Sequence, residues 1–363
     1  MLVKQIPDSP ESAPGRASCG AVRAARTGIK VALAALVSCC AVGCVTQSTG
    51  TYDGAMTITV ENDTFTGSDN NYTNGLGATW NSNEISTYGA ESSVRKWAGF
   101  WSFLPFASDE GYQTYASWSV AQEMHTPDDI TDPNPPKDDQ PYAGVLYLDN
   151  VLYARRDRTT HAWALKVGVV GPASQAEDVQ TWFHDVIGSD EPMGWDTQLP
   201  GEAVVNVAYS VAHLWAKGDV GKSASWRLVP VGTVGVGNYF TGVAGGMYGE
   251  VGWNLVDALG VPALRSGLNA ASTVGVGPVQ GWSVAFYGGF GGYGVAHYLP
   301  LDGTVFHDSR SVDSEPFIGT GTVGIAVRHR GFVLSLARTY FTDMFETERK
   351  NAEFGTLSVS WFF

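Results

Sequence analysis

A transmembrane antiparallel β-barrel of about twelve strands is the fold that this 363-residue sequence predicts. Two observations carry that reading. The closing residues, Gly355-Thr-Leu-Ser-Val-Ser-Trp-Phe-Phe363, alternate strictly, with Leu357, Val359, Trp361 and Phe363 on one face and Thr356, Ser358, Ser360 and Phe362 on the other. That period suits a strand with lipid outside and water inside. Hydrophobic residues make up 44% of the chain, yet no stretch beyond the first 45 residues approaches the ~20 apolar residues of a spanning helix. Dispersal by alternation accounts for both facts. A soluble sandwich shares the alternation, but the 44 glycines and abundant Trp, Tyr and Phe suit strand crowding and interfacial girdles better.

The first 45 residues read as an export signal. Arg16, Arg23, Arg26 and Lys30 supply charge, and Ile29 to Gly43 is apolar apart from Lys30, Ser38 and the cysteines. This run is too short for a spanning helix. Leu36-Val-Ser-Cys39 and Ala41-Val-Gly-Cys44 resemble a lipobox, while Ala41-Val-Gly43 also suits ordinary cleavage, so both processing routes stay open. Residues 1–44 are the expected signal peptide, and 45–363 the barrel with a catalytic rim. Phe363 ending an alternating strand resembles the sorting signal of barrels in the bacterial outer membrane.

All four cysteines fall within residues 1–44, leaving the barrel without a disulfide framework or thiol metal site. Without that segment the 22 Lys/Arg and 36 Asp/Glu fall by five and two, leaving a formal charge of −17. So acidic a chain is a poor partner for nucleic acid. An anionic substrate would require a divalent cation between them.

Strands are expected near 53–62, 72–83, 113–125, 141–156, 159–170, 203–217, 224–238, 243–254, 279–296, 312–328, 332–343 and 354–363. In the fifth, Trp163, Leu165, Val167 and Val169 oppose Ala162, Ala164, Lys166 and Gly168. In the ninth, Trp282, Val284, Phe286 and Phe290 oppose Ser283, Ala285 and Gly289. With both termini periplasmic, parity sends 63–71, 126–140, 171–202, 239–242, 297–311 and 344–353 outward. The long segments 84–112 and 255–278 fall on the periplasmic side, the first with an interfacial helix expected within Val94–Pro105.

Three polar blocks map to the outer rim. The first, Glu61 to Gly75, ends one strand with Asn62 and Asp63 and opens the next with Tyr72-Thr73. A hairpin there lets Asn62, Asp63 and Thr73 share one site, although Asn, Asp and Gly also serve plain turns. The second joins Gln122-Glu-Met-His125 to Pro141-Tyr-Ala-Gly144 through an acidic loop. Asp128, Asp129, Asp132, Asp138 and Asp139 offer oxygens, but the glycine and spacing of an EF-hand are missing, so a charged surface loop is expected. The third runs from Gly168 to Gly188. Ser174 with Glu177 forms a capping box and Gly188 a stop, which predicts a rim helix over 175–187. Val179, Trp182, Phe183, Val186 and Ile187 make its apolar stripe, with Gln180 and His184 half-buried at the edge. An imidazole there suits a general base near neutral pH; the plainer reading is one interfacial hydrogen bond. No Gly-x-Ser-x-Gly elbow, His-Glu-x-x-His or P-loop occurs.

Taken in order, Asn62-Asp63, Tyr72-Thr73-Asn-Gly75, Pro141-Tyr-Ala-Gly144, Gly168-Val-Val-Gly-Pro172, Gln180-x-x-x-His184 and Trp195-Asp-Thr-Gln198 resemble the recurring segments of the outer-membrane lipid A 3′-O-deacylase family. The motifs cover roughly 53–215. The resemblance implies a twelve-stranded barrel that uses calcium to hydrolyse an acyl ester of lipid A, within the lipopolysaccharide of the outer leaflet. Its functional positions map to Asn62, Asp63, Thr73, Gln180 and His184, with the family's acidic residue at Asp190, one carbon shorter than glutamate. The family's loop lysine has no counterpart near Asp132, Lys137 being the nearest, and Gln140 stands where an arginine is usual.

The expected function is therefore calcium-assisted ester hydrolysis, with His184 as base, Asp63 supporting it, Gln180 or Asn62 donating to the oxyanion and Asp190 as metal ligand. Two other classes carry the same pattern: an outer-membrane phospholipase and a barrel without enzymatic activity, such as a channel or scaffold.

Overall fold

The computed structural model describes residues 52–63, 71–256 and 277–363. Residues 1–51, which include the expected signal peptide, 64–70 and 257–276 lie outside them. No described helix is long and apolar enough to cross a membrane; the crossing is made by strands. They are β1 (Gly54–Asn62), β2 (Asn71–Ser82), β3 (Gln113–Thr126), β4 (Ala143–Arg156), β5 (Thr159–Val170), β6 (Glu202–His213) and β7 (Ala216–Val220). The second half adds β8 (Ala224–Gly237), β9 (Phe240–Trp253), β10 (Val279–Tyr298), β11 (Phe317–Arg330), β12 (Phe332–Phe341) and β13 (Glu353–Phe362). Consecutive strands pair antiparallel except β6 and β7, β1 joins β13, and both β6 and β7 join β8, which closes a twelve-stranded barrel.

The sixth barrel strand is β6 and β7 together. Ala212 faces Val231 but Ala216 faces Leu228, so four residues oppose three and a bulge interrupts the expected continuous strand. The strand expected from 312 starts at Phe317 instead. Pro316 has no N–H for a ladder, and its carbonyl accepts from Val295.

Burial follows the predicted alternation. Thr356, Ser358 and Ser360 are buried in the lumen, where Ser360 Oγ accepts from Thr57 Oγ1 at 2.8 Å, while Val359 is exposed. On β10 the outward Trp282, Phe286 and Phe290 are exposed and the inward Ser283, Ala285 and Tyr287 buried. Short turns join β4 to β5 and β11 to β12 at the end holding both termini, which is the periplasmic arrangement of such barrels.

The opposite mouth is filled. Tyr239, Tyr298, Leu299, Leu301, Met344 and Phe345 belong to one buried cluster contributed by the end of β10 and three outer connections. Beneath it Glu123, fully buried, accepts from Tyr147 OH at 2.5 Å and from Tyr239 OH. The Lys166 ammonium lies 3.4 Å from the Tyr147 ring centroid and 4.0 Å from that of Tyr239. Cation–π contacts of this kind contribute about 0.5–2 kcal/mol. A cavity of about 140 Å³ remains beside this knot, walled by Val151, Ala162, Phe240 and Val295 among others.

Candidate active site

Strand parity decides which side of the barrel carries the site. In β1 the buried Thr57, Thr59 and Glu61 point into the lumen, so Met56, Ile58, Val60 and then Asn62 face outward. In β3 the outward series runs Val120, Gln122, Met124; in β4 it runs Leu148, Leu146, Gly144. Val120 and Leu148 are exposed, as a lipid-facing wall requires, but Asn62 (2% exposed), Gln122, Met124 and Gly144 are buried. Asn62 pairs with Asn74, Asn74 with Met124, and Met124 with Gly144, a single row across four strands. The candidate residues therefore gather on the outer wall, above the lipid band, and not over the lumen.

The segment after β5 covers that row. Gly171 takes φ 87°, where a Cβ would meet the Leu199 carbonyl oxygen at 2.7 Å, so this turn needs glycine. Gln122 Nε2 donates to the Ser174 carbonyl at 2.6 Å. A Cβ on Gly144 would stand 2.2 Å from Ala176 Cβ and 2.4 Å from Ser174 Oγ. The glycine of Pro-Tyr-Ala-Gly is thus the seat of the helix. Tyr142 of the same motif is fully buried, donates to the Ile130 carbonyl at 3.1 Å and packs its ring 4.8 Å from Trp195.

The rim helix spans Ala176–Ile187 and stops at Gly188 in the left-handed region, as expected. Its start differs. Gln175 is the N-cap with φ 57° and no side-chain capping bond, and Ser174 sits in a 3₁₀ turn with its hydroxyl donating to Gly171 O at 2.7 Å. The capping box does not form because the helix starts one residue late: Gln175 is the N-cap, and the Ser174 oxygen accepts a long bond from Ala176 N at 3.4 Å. The buried face also differs: it runs Ala176, Gln180, His184, the latter two 2% and 5% exposed, whereas Val186 is 63% exposed. Gln180 and His184 lie at the centre of the packed face, not half-buried at its edge.

Both side chains are held in one orientation. His184 Nδ1 is 2.6 Å from the carbonyl oxygen of Asp190. A carbonyl only accepts, so Nδ1 carries a proton, and in the neutral tautomer this leaves the lone pair on Nε2. Gln180 Oε1 accepts from Trp195 Nε1 at 2.7 Å, which fixes the amide flip and leaves the buried Nε2 with no partner among the described residues. His184 and Gln180 lie one turn apart on one face of the helix, an imidazole and an amide N–H donor that has no partner among the described residues, the group types that a base and an oxyanion donor require. Trp195 stood in the sequence as a motif residue only; its bond to Gln180 makes it the orienting group.

Asp63 follows Asn62 and is fully buried. Thr73 falls where the β2–β3 register shifts between Tyr72 and Asn74, one residue from the Asn62 partner; its side chain lies outside the description. The hairpin thus brings Asn62, Asp63 and the Thr73 backbone together, and no hydrogen bond joins them to Gln180 or His184 among the described residues.

The acidic loop folds on itself. Asp139 accepts from the backbone of Asp128 at 3.0 Å and Gln140 at 2.7 Å, and Asp129 accepts from Thr131 N and Oγ1. Burial pushes the Asp139 carboxyl above its usual range, while the Thr131 bonds pull Asp129 below it. Burial, then Asp178 and Asp196, push Glu177 up. Lys137 is exposed, and the cation that enters this loop is Arg310, donating to Pro135 O at 2.9 Å and Thr197 Oγ1 at 3.3 Å. Among the described residues no three His, Cys, Asp or Glu side chains converge on a metal position. Asp190 and Glu191 are exposed neighbours after the rim helix, carboxylates of the oxygen chemistry that a hard cation takes.

The model of a family described as "Outer membrane protein LpxR" matches residues 31–363. The solved LpxR from Salmonella typhimurium superposes with TM-score 0.66 at 17% identity, covering 85% of this chain and 100% of that one. The β domain of the Bordetella autotransporter BrkA gives TM-score 0.41 at 9% identity over 85% of this chain and 99% of that one. A sequence search of curated proteins finds no match.

Proposed function

This chain belongs to the LpxR family of outer-membrane proteins, and on that premise we propose that it is a lipid A deacylase, hydrolysing an ester-linked 3′-O acyl chain at the bilayer-facing wall. The observation that carries the proposal is His184, set on the packed face of the rim helix with Nδ1 committed to the Asp190 carbonyl. In the proposed reaction Nε2 takes a proton from water as its oxygen attacks the ester carbonyl carbon. The carbonyl becomes an oxyanion, to which Gln180 Nε2 donates, helped by Asn62. The C–O bond then breaks and His184 returns the proton to the departing sugar hydroxyl, releasing a fatty acid. Asp63 and Thr73 shape the far side of the site. Asp190 and Glu191 would hold calcium, which supplies positive charge when bound, offsetting the acidic rim for a phosphate-bearing substrate.

Mass spectra of lipid A and phospholipids from cells expressing wild type or His184→Ala test this reading. Loss of one acyl mass from lipid A is expected with wild type only, since removing a general base costs about 10²–10⁴ in rate. Conversion of phospholipids with lipid A untouched would assign a phospholipase instead, and no change in either lipid would leave a non-enzymatic barrel.

A further inference from the structure

The periplasmic connection between β2 and β3 is built onto the same outer wall as the candidate site. Its helix, Ser93–Phe100, is capped by Ser92, whose Oγ accepts from Arg95 N at 3.3 Å. Val94, Trp97, Ala98 and Trp101 pack on Ile85, Ala116 and Leu152. Ala116 and Leu152 continue the lipid-facing series of Val120 and Leu148, yet are 0% and 3% exposed because the helix lies over them. Trp97 meets Trp118 with centroids 4.5 Å apart. Farther round the wall Phe106 stacks on His161 at 3.9 Å, holding φ 68°, and Trp163 Nε1 donates to Pro105 O at 3.3 Å. A left-handed aromatic residue is sterically costly, so the docking of this saddle is over-determined.

The uncovered wall between the two helices is short. From Ala116 to Gln122 the strand rises roughly 20 Å at about 3.3 Å per residue. A tilt of about 40° reduces that to roughly 15 Å along the membrane normal, against an apolar band of about 25 Å for such barrels. The missing height has to come from the saddle itself, and its outer face supplies it: Phe100 is 69% and Phe103 71% exposed, with Arg95 and Lys96 exposed beside them.

We propose that the saddle is inserted in the periplasmic leaflet beneath the candidate site, with Phe100 and Phe103 among phospholipid acyl chains and Arg95 and Lys96 at the headgroups. Aromatic rings and basic side chains favour those two depths. The saddle then occupies leaflet volume that phospholipid fills elsewhere around the barrel.

Nitroxide labels test this in the full chain reconstituted in phospholipid vesicles, with the four cysteines of residues 1–44 replaced by serine. Labels at Phe100→Cys and Phe103→Cys are compared with Val120→Cys on the lipid-facing wall and Arg158→Cys in a periplasmic turn. Insertion predicts oxygen collision rates within about twofold of those at Val120, and collision with a water-soluble nickel complex at least about fivefold below that at Arg158. Nickel collision at Phe100 and Phe103 equal to that at Arg158 would overturn the proposal.

Discussion

Trp195 donates its indole N–H to Gln180 Oε1 at 2.7 Å, in a pair that is buried on all sides. The bond aims the Gln180 amide nitrogen away from the tryptophan. Replacing Trp195 by Phe removes the donor and leaves a buried carbonyl oxygen unmet, at about 1–3 kcal/mol. Trp195→Phe should lower the unfolding midpoint and cut deacylation at least about tenfold, chiefly in kcat, because the amide is no longer held in one flip. Lipid A turnover beside unfolding in detergent checks both; unchanged kcat would mean that Gln180 needs no orienting partner.

Gly144 is the seat of the rim helix, with room for no Cβ against Ala176. In Gly144→Ala the helix has to shift, while the β3–β4 ladder is untouched. Activity should fall at least about tenfold with heat-modifiable barrel assembly retained, since misplacement by an ångström costs about that much or more. Loss of the barrel itself would show that Gly144 serves strand pairing and not the helix.

The proposed calcium site carries a prediction of its own. Chelation should abolish hydrolysis, and calcium should restore it more readily than zinc, because the donors at hand are oxygens. Asp190→Asn should raise the calcium concentration required, whereas Asp129→Asn should matter less, its carboxylate being engaged by Thr131. Full hydrolysis in excess chelator would remove the metal from the reaction.

Glu348, in the connection before β13, accepts from Met344 N, and burial with nearby Asp343 raises its pKa to about 7. A raised carboxyl favours the protonated folded loop, so its contribution is fully present below the unfolded value near 4.5 and is lost as pH rises through about 7. Limited proteolysis of 342–352 should be slow at pH 5 and fast at pH 8, and Glu348→Gln should flatten that dependence. Equal cutting at both pH values in the wild type would refute the assignment.

The strands were legible because lipid on one side and a packed polar lumen on the other impose a period that few other constraints disturb. β5 spans 159–170, the expected range, and β1, β2, β3 and β13 begin and end within a residue of expectation. The buried face of the rim helix was not legible. Trp182, Phe183 and Val186 mark an apolar stripe, but beside a bilayer an apolar residue has no reason to turn toward protein, and Val186 does not. Beside Ala176, the residues set most deeply against protein are polar ones, Gln180 and His184, held by specific partners. The Trp195 and Arg310 bonds join chain segments 15 and more than 100 residues apart, a relation no periodicity encodes.

Placement of Asn62, Gln180 and His184 on the outer wall has a kinetic consequence. A molecule anchored in the outer leaflet reaches that wall by sliding sideways, so encounters are set by its number per unit area and not by its concentration in water. The acyl tails never have to leave oil to be presented, and a freed chain can slip back into the same leaflet. Turnover should accordingly follow the surface density of substrate and the fluidity of the leaflet.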